Sequence, residues 1–423
     1  MRPVRLSWRR RQDSRWSDPV LVIVCLIVAT TQMAWGVVVP VLPAYATEFG
    51  ASTTQLGLVV AMFGLGRLVV NTPAGLLCAR VNPRIPLLGA AAGVVACQAL
   101  MATASSLGML LALRLATGLA GGMAITCGMV LIADVVSGAG RGRAMSLLQG
   151  MQLAGGAAGP ALGGMSAEVF GIRAPFLLSG GLTALVLLVG SRRLLRSPLR
   201  RPVEPDGSPA PETTAGPMRR MFRDRSYWAI CAVGFAVFFH RFGGTQSLVP
   251  IIAYTVAGLT VGQLGLLMGL VTLANVLMLP LAGSLSDRLG RKRVIVPGLA
   301  LVALAMPAYV LSASPAWFVA ATLVTGLAMG FSGPAPAAYV ADIAPADGRG
   351  PAVGVYRTFG DLAAVIGPIA VGWLIDVTDY RVAVLVLAAL VLLAVVIFAT
   401  AARETVVRAT APAAKAAAAP SRP

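Results

Sequence analysis

The chain has 423 residues, of which 57% are hydrophobic and 12% charged, where a soluble domain carries roughly 45–50% and 25%. A soluble enzyme does not fit that balance. The 34 Lys and Arg against 16 Asp and Glu leave a formal charge of +18, which implies nucleic acid only where the basic residues form one reading surface. Here they are scattered along the chain, so no nucleic-acid partner is expected.

Crossing about 30 Å of hydrocarbon takes roughly 20 apolar residues per helix. Runs such as 20–29 and 382–400 lack the strict apolar/polar alternation of an outer-membrane barrel, which leaves helices as the spanning element. Hydropathy predicts twelve spans. Six lie near 19–46, 54–78, 85–104, 107–133, 144–168 and 174–190, and six near 227–256, 261–282, 293–312, 315–341, 350–376 and 381–401. Arg2–Asp18 followed by an apolar run is an uncleaved anchor, because the run is long and lacks a small-residue cleavage site. With the N-terminus inside, 28 of the 34 basic residues face the cytoplasm, Arg173 and Arg381 lie outside, and Arg67, Arg114, Arg241 and Arg357 fall within spans. The positive-inside rule therefore predicts a multi-pass protein of the inner (plasma) membrane with both termini cytoplasmic. Cys25, Cys78, Cys97, Cys127 and Cys231 sit in or at the ends of spans without metal-like spacing, so no metal and no disulfide is expected.

Sliding the chain by 208 residues superposes the two sets of spans. Gly57 meets Gly265, Gly75 meets Gly283, Arg80 meets Arg288, Thr117–Ala120 meets Thr325–Ala328, Gly122 meets Gly330, Asp134 meets Asp342, Arg141 meets Arg349, and Gly159-Pro160 meets Gly367-Pro368. Matched Arg, Asp and Pro at span boundaries point to two parallel six-helix bundles, the plan of secondary transporters whose site lies between the halves. The segments are then a basic stretch at 1–18, a bundle at 19–190, a cytoplasmic loop at 191–226, a second bundle at 227–401 and a disordered tail at 402–423.

The loop between spans 8 and 9 carries Gly283, Asp287, Arg288, Gly290, Arg291, Lys292 and Arg293. Its logic is a Gly turn, an Asp placed for a helix N-terminus or an Arg, and a basic cluster at the cytoplasmic face. It resembles the signature loop of the major facilitator superfamily, which implies an all-α fold of twelve helices in two pseudo-symmetric bundles and gating roles for Asp287 and Arg288. The copy between spans 2 and 3 keeps Gly75, Arg80 and Arg84 but has Ala79 for the Asp and Asn82 for the Gly. Span 5 holds Gly155, Gly159, Pro160, Gly163 and Gly164, with glycines four apart on one face. That run resembles the helix-5 motif of the drug–proton antiporter branch; close helix packing is the alternative reading. Arg114 in span 4 matches the family's helix-4 arginine, linked there to proton coupling, with bonding to helix carbonyls as the alternative.

Span 11 places Arg357 and Asp361 four residues apart on one face. Asp361 is the one acid deep within a span, and it either takes a proton when the pair breaks or stays permanently paired. Span 7 carries His240 and Arg241 near mid-membrane, and Gly243-Gly244 with Pro250 predicts a broken helix lining a cavity. The resemblance implies a cavity lined by spans 1, 4, 7 and 10, which makes Gln32, Trp35, Arg241, Phe331, Ser332 and Tyr339 candidate contacts. Arg67 in span 2 is either part of that cavity or a structural partner of Asp361.

The expected protein is a monomeric secondary transporter with no catalytic residues and no cofactor, coupling proton entry to efflux of a small hydrophobic molecule through rocking of its halves. Uptake or facilitated diffusion of an organic anion is the alternative within transport, and a non-transporting membrane sensor or scaffold the alternative outside it. No Gly-x-x-x-x-Gly-Lys-[Ser/Thr] loop occurs, so ATP does not drive it directly.

Overall fold

A computed structural model describes residues 19–136, 140–196, 221–311, 314–331, 335–345 and 349–405. Every regular element among them is helical, as a chain without water for its backbone groups requires. In the first half, α1 (Pro19–Gly36) and α2 (Val38–Thr47) make span 1, followed by α3 (Thr53–Arg80), α4 (Arg84–Met101), α5 (Leu107–Val135), α6 (Gly140–Phe170) and α7 (Ala174–Arg196). In the second, α8 (Arg225–Phe239), a π-helical segment (His240–Leu248) and α9 (Val249–Thr255) make span 7. Then come α10 (Val261–Leu289), α11 (Arg291–Ala305), α12 (Pro315–Phe331), α13 (Ala335–Ile343), α14 (Arg349–Val377) and α15 (Tyr380–Ala401).

Among the described residues, ten stretches are long and apolar enough to cross a bilayer. The two that fall short are α6, rich in glycine, and the α8–α9 stretch, which carries His240 and Arg241. Both run among other helices: α6 lies between α1 and α10, and the π segment lies against α14. Their more polar composition is matched by protein neighbours.

Contacts between the halves run along two helix pairs, α3 with α14 and α6 with α10. These pairs obey the 208-residue offset in detail. A Cβ on Gly57 would overlap the Pro368 carbonyl of α14, and one on Gly265 the Pro160 carbonyl of α6. Gly372 meets the Thr53 carbonyl as Gly164 meets that of Val261. In all four the hypothetical Cβ comes under 3.0 Å, closer than real Cβ atoms sit, so only glycine admits the approach. Gly75 and Gly283 lie eighteen residues, five helical turns, beyond Gly57 and Gly265 and so on the same faces. A Cβ at either meets nothing within 4 Å. The close contacts lie toward one end of each seam, called here the far end, and have ended by Gly75 and Gly283, toward the end bearing the signature loop, called here the open end.

That loop departs from expectation. Gly283 is not a turn: α10 runs helical through it to Leu289, and the turn falls at Gly290, with φ +112°. The segment assigned to a disordered tail begins in order. The Glu404 carboxylate accepts from the Lys292 and Arg293 N–H groups at 3.4 and 3.2 Å, and Lys292 Nζ donates to the Ala402 carbonyl at 2.6 Å. Glu404 thus covers the N-terminus of α11, where unpaired N–H groups and the helix dipole favour an anion. Residues 1–18 and 406–423 lie outside the described set, as does most of the central loop.

Arg403 pairs with Asp224, the N-cap of α8. Burial works against ionisation of Asp224, yet the Ser226 N–H and the Arg403 guanidinium outweigh it and hold the carboxyl below its ordinary value. A lowered folded-state pKa gives stability that is present above the unfolded value and lost as pH falls through the folded one. Melting of wild type and Asp224→Asn should therefore differ at neutral pH and converge as pH drops below about 4.

Replacing Gly57 or Gly265 with Ala should destabilise the purified protein by about 1–3 kcal/mol through forced overpacking. Gly75→Ala should melt as wild type does, since open space surrounds it.

Candidate functional site

Span 7 is continuous where a break was expected. Gly243 and Gly244 belong to the π segment, and Pro250 sits where that segment passes into α9, without breaking the helix. The glycines serve contact: Gly243 faces the Gly367 backbone of α14, and Gly244 faces Leu387 and the His240 ring. A π segment is rare and usually marks a functional site. His240 opens it, 3% exposed, with Nδ1 buried and unpartnered.

The 208-residue offset makes His240 the counterpart of Gln32 in α1, which is buried with Nε2 unpartnered. One turn along α1 from Gln32, Trp35 stacks on Phe63 of α3, with ring centroids 5.8 Å apart, and contacts Phe242 at 6.1 Å; Phe242 stacks on Phe238. The Trp35 Nε1 and Gln246 Oε1 atoms are likewise buried without partners. Buried polar atoms are normally satisfied, so this aromatic centre with spare donors and an acceptor suits a small molecule or waters carrying complementary groups.

A charged cluster borders it. Asp361 of α14 receives the Asn71 amide at 3.5 Å, and its nearest acting charges are Arg67 and Arg357. The Arg241 charge in turn acts on Arg67. Arg67 and Asn71 are four apart on α3, as Arg357 and Asp361 are on α14, so the two interface helices present these groups to each other. Asp361 forms no direct ion pair with Arg357 among the described residues, and Asn71 was missed in the sequence. A polar residue one turn from an intramembrane Arg was the signal. Arg67 Nε is buried and unpartnered, whereas Arg241 and Arg357 keep exposed surface.

Arg114 stands elsewhere. It is 1% exposed, donates from Nε to the Val59 carbonyl at 3.3 Å, and lies over the Phe63 ring at 5.2 Å. No carboxylate pairs with it among the described residues, so it braces α5 against α3 and touches the site through Phe63. Phe331 ends α12, and Ser332 lies outside the described residues. Tyr339 is not brought to the centre: its ring is fully buried against Phe398 and its hydroxyl donates to the Arg403 carbonyl at 2.8 Å.

At the signature loop, Arg291 and not Arg288 makes the bonds. It pairs with Asp287, donates to Asp342 at 3.1 Å and to Ser286 Oγ at 3.1 Å. Asp342, which the repeat had matched to Asp134, ties the loop to α13. In the helix-5 run, Gly155, Gly159 and Gly163 abut the backbone of Ala29, Gly36 and Val37, where Pro160 also meets Gly36; Gly164 turns to Gly265 across the interface. One face joins α6 to span 1 and the other to the opposite half.

A helical membrane protein made of two repeats closing around an aromatic and charged centre has the architecture of a transporter. The sequence matches the Major Facilitator Superfamily over residues 24–270 and 239–422. It is 22% identical over 358 residues to an uncharacterized MFS-type transporter of Methanocaldococcus jannaschii, covering 84% of this chain and 91% of that one. It is 26% identical over 370 residues to the class C tetracycline resistance protein of Escherichia coli, covering 84% and 89%. It is 27% identical over 154 residues to the quinolone resistance protein NorA of Staphylococcus aureus, covering 36% and 39%. The fold superposes with a TM-score of 0.74 on a bacterial homolog of the human lysosomal transporter Spinster in an inward-facing, unoccupied conformation, at 17% identity and with 90% and 95% covered. The chain belongs to the Major Facilitator Superfamily. It is a multi-pass membrane transporter of small molecules, and not an enzyme.

Arg291→Gln should lower the melting temperature by the equivalent of about 1 kcal/mol, because the pairs it breaks are partly exposed. Arg288→Gln should leave it unchanged.

Proposed function

We propose that the protein is a proton-coupled efflux transporter of the plasma membrane, working as a monomer with both termini cytoplasmic. Its halves, at 19–190 and 227–401, rock about the paired glycine interfaces, and the end now open faces the cytoplasm, where the positive-inside count puts the signature loop. The resistance proteins among its relatives favour a small, largely hydrophobic substrate, held against Trp35, Phe63 and Phe242.

One observation carries the coupling: Asp361 sits at the contact of α3 and α14, the surface that must part when access switches, among Arg67, Arg357 and Arg241. A proton taken there changes the charge of the interface by one unit, so protonation and separation of the halves depend on each other. His240 is the second group able to take part. In proteoliposomes, collapsing an imposed proton gradient should abolish concentrative transport, and Asp361→Asn should keep exchange of substrate while losing its gradient dependence. Transport indifferent to both overturns the proposal.

The excess of three arginines over one aspartate favours a second reading, an organic anion as substrate. It predicts that Arg241→Gln raises KM at least tenfold with little change in kcat. Efflux of an uncharged molecule predicts an unchanged KM.

A further inference from the structure

The far end is closed by more than glycine contacts. At the start of α3, the Ser52 side chain caps the Gln55 N–H, so the N–H groups of Thr53 and Thr54 remain to be satisfied. Asp376, at the end of α14 in the other half, takes both, at 3.1 and 2.8 Å, together with the two Thr hydroxyls. At the start of α10, Thr260 caps Gln263 in the same way. Glu168, at the end of α6 in the other half, takes the Gly262 N–H at 2.9 Å. The 208-residue offset carries Glu168 onto Asp376, Gly262 onto Thr54 and Thr260 onto Ser52. The repeat has thus produced the same inter-half bond twice, each time a carboxylate on a helix N-terminus, where charge and dipole reinforce the hydrogen bonds.

We propose that Glu168 and Asp376 are a paired latch that holds the far side shut and must release in every cycle for that side to open. They are gating residues of the transport reaction, distinct from the signature loop at the opposite end. Both side chains are exposed, so each regains water on release, and the bonds lost are repaid by solvent. That makes them suited to a reversible latch. The pair is unequal. Where Asp376 meets two hydroxyls, the counterparts of Thr53 and Thr54 are Val261 and Gly262, which offer none. The α6–α10 side therefore releases more readily, and Asp376 sets the stability of the closed far end. The latch is independent of whether protons or anions are involved, so its failure and the failure of the proposed function are separable.

The test uses the full-length protein, with its five cysteines replaced, carrying spin labels at Val169 and Val377, exposed positions at the far ends of the two halves. A second label pair at Leu76 and Leu281, exposed near the open end, reports the opposite motion. Asp376→Asn should shift the ratio of long to short far-end distances by about tenfold, Glu168→Gln by less, and the double variant by more than either, with the open-end pair moving closer together. Asp376→Glu should restore the wild-type ratio. The Asn and Gln variants keep side-chain size, and a melting curve confirms that they fold. Lower melting temperatures with unchanged distance distributions in both label pairs would show a merely structural role and overturn the proposal, as would a larger effect of Glu168→Gln than of Asp376→Asn.

Discussion

Everything in this protein hangs on backbone meeting backbone across the two inter-half seams. In lipid, helices gain little from burying apolar side chains, because the surrounding tails are equally apolar; close packing and polar contacts supply the adhesion. Gly57, Gly164, Gly265 and Gly372 bring the helices of opposite halves so near that no other residue would fit. In the proposed cycle these contacts, which lie toward one end, serve as the fulcrum, and opening at the signature loop and closure at the far end become two sides of one rigid movement.

The duplication explains what is symmetric, and its violations mark what is specialised. The seams and both carboxylate caps repeat at the 208-residue offset. The charges do not: Arg67 corresponds to Asn275, Asp361 to Leu153 and Arg357 to Gln149. One seam therefore carries a cluster that responds to charge, while the other is nearly neutral. A similar divergence separates Gln32 from His240, two buried residues at equivalent positions of which only one carries an ionisable ring.

Much of the fold was legible in composition and spacing. Apolar runs placed the helices, because lipid leaves few alternatives, and matched Gly, Pro and Asp gave the repeat. The site was legible only in part. A pattern of intramembrane polar residues named Asp361, Arg67, His240 and Trp35 as worth attention, since polarity there is costly, but it could not say which touch. Arg114 turned to a carbonyl and a ring on α3, and Tyr339 to the Arg403 carbonyl beyond α15, because those partners are far away in sequence. The continuity of α10 through Gly283 was hidden because glycine marks turns in water, whereas here the flanking residues and neighbouring helices keep the helix intact. Asp376 and Glu168 passed unnoticed for a related reason: each looks like an ordinary polar residue at a membrane boundary until the opposite half supplies helix N-terminal N–H groups, two to Asp376 and one to Glu168.

The arginine-rich cluster also has an electrical consequence. Arg67, Arg241 and Arg357 against Asp361 leave two net positive charges within the spans, and the proposed change of access exposes them first to one side of the membrane and then to the other. Each elementary charge that crosses the field exchanges about 2.3 kcal/mol per 100 mV. In the proposed cycle an unloaded carrier of this kind works with or against the membrane voltage at every turn; a bound anion trims that load, and a proton taken up by Asp361 adds to it. The cell's electrical potential, as much as any concentration gradient, thus becomes a term in the free energy of its cycle.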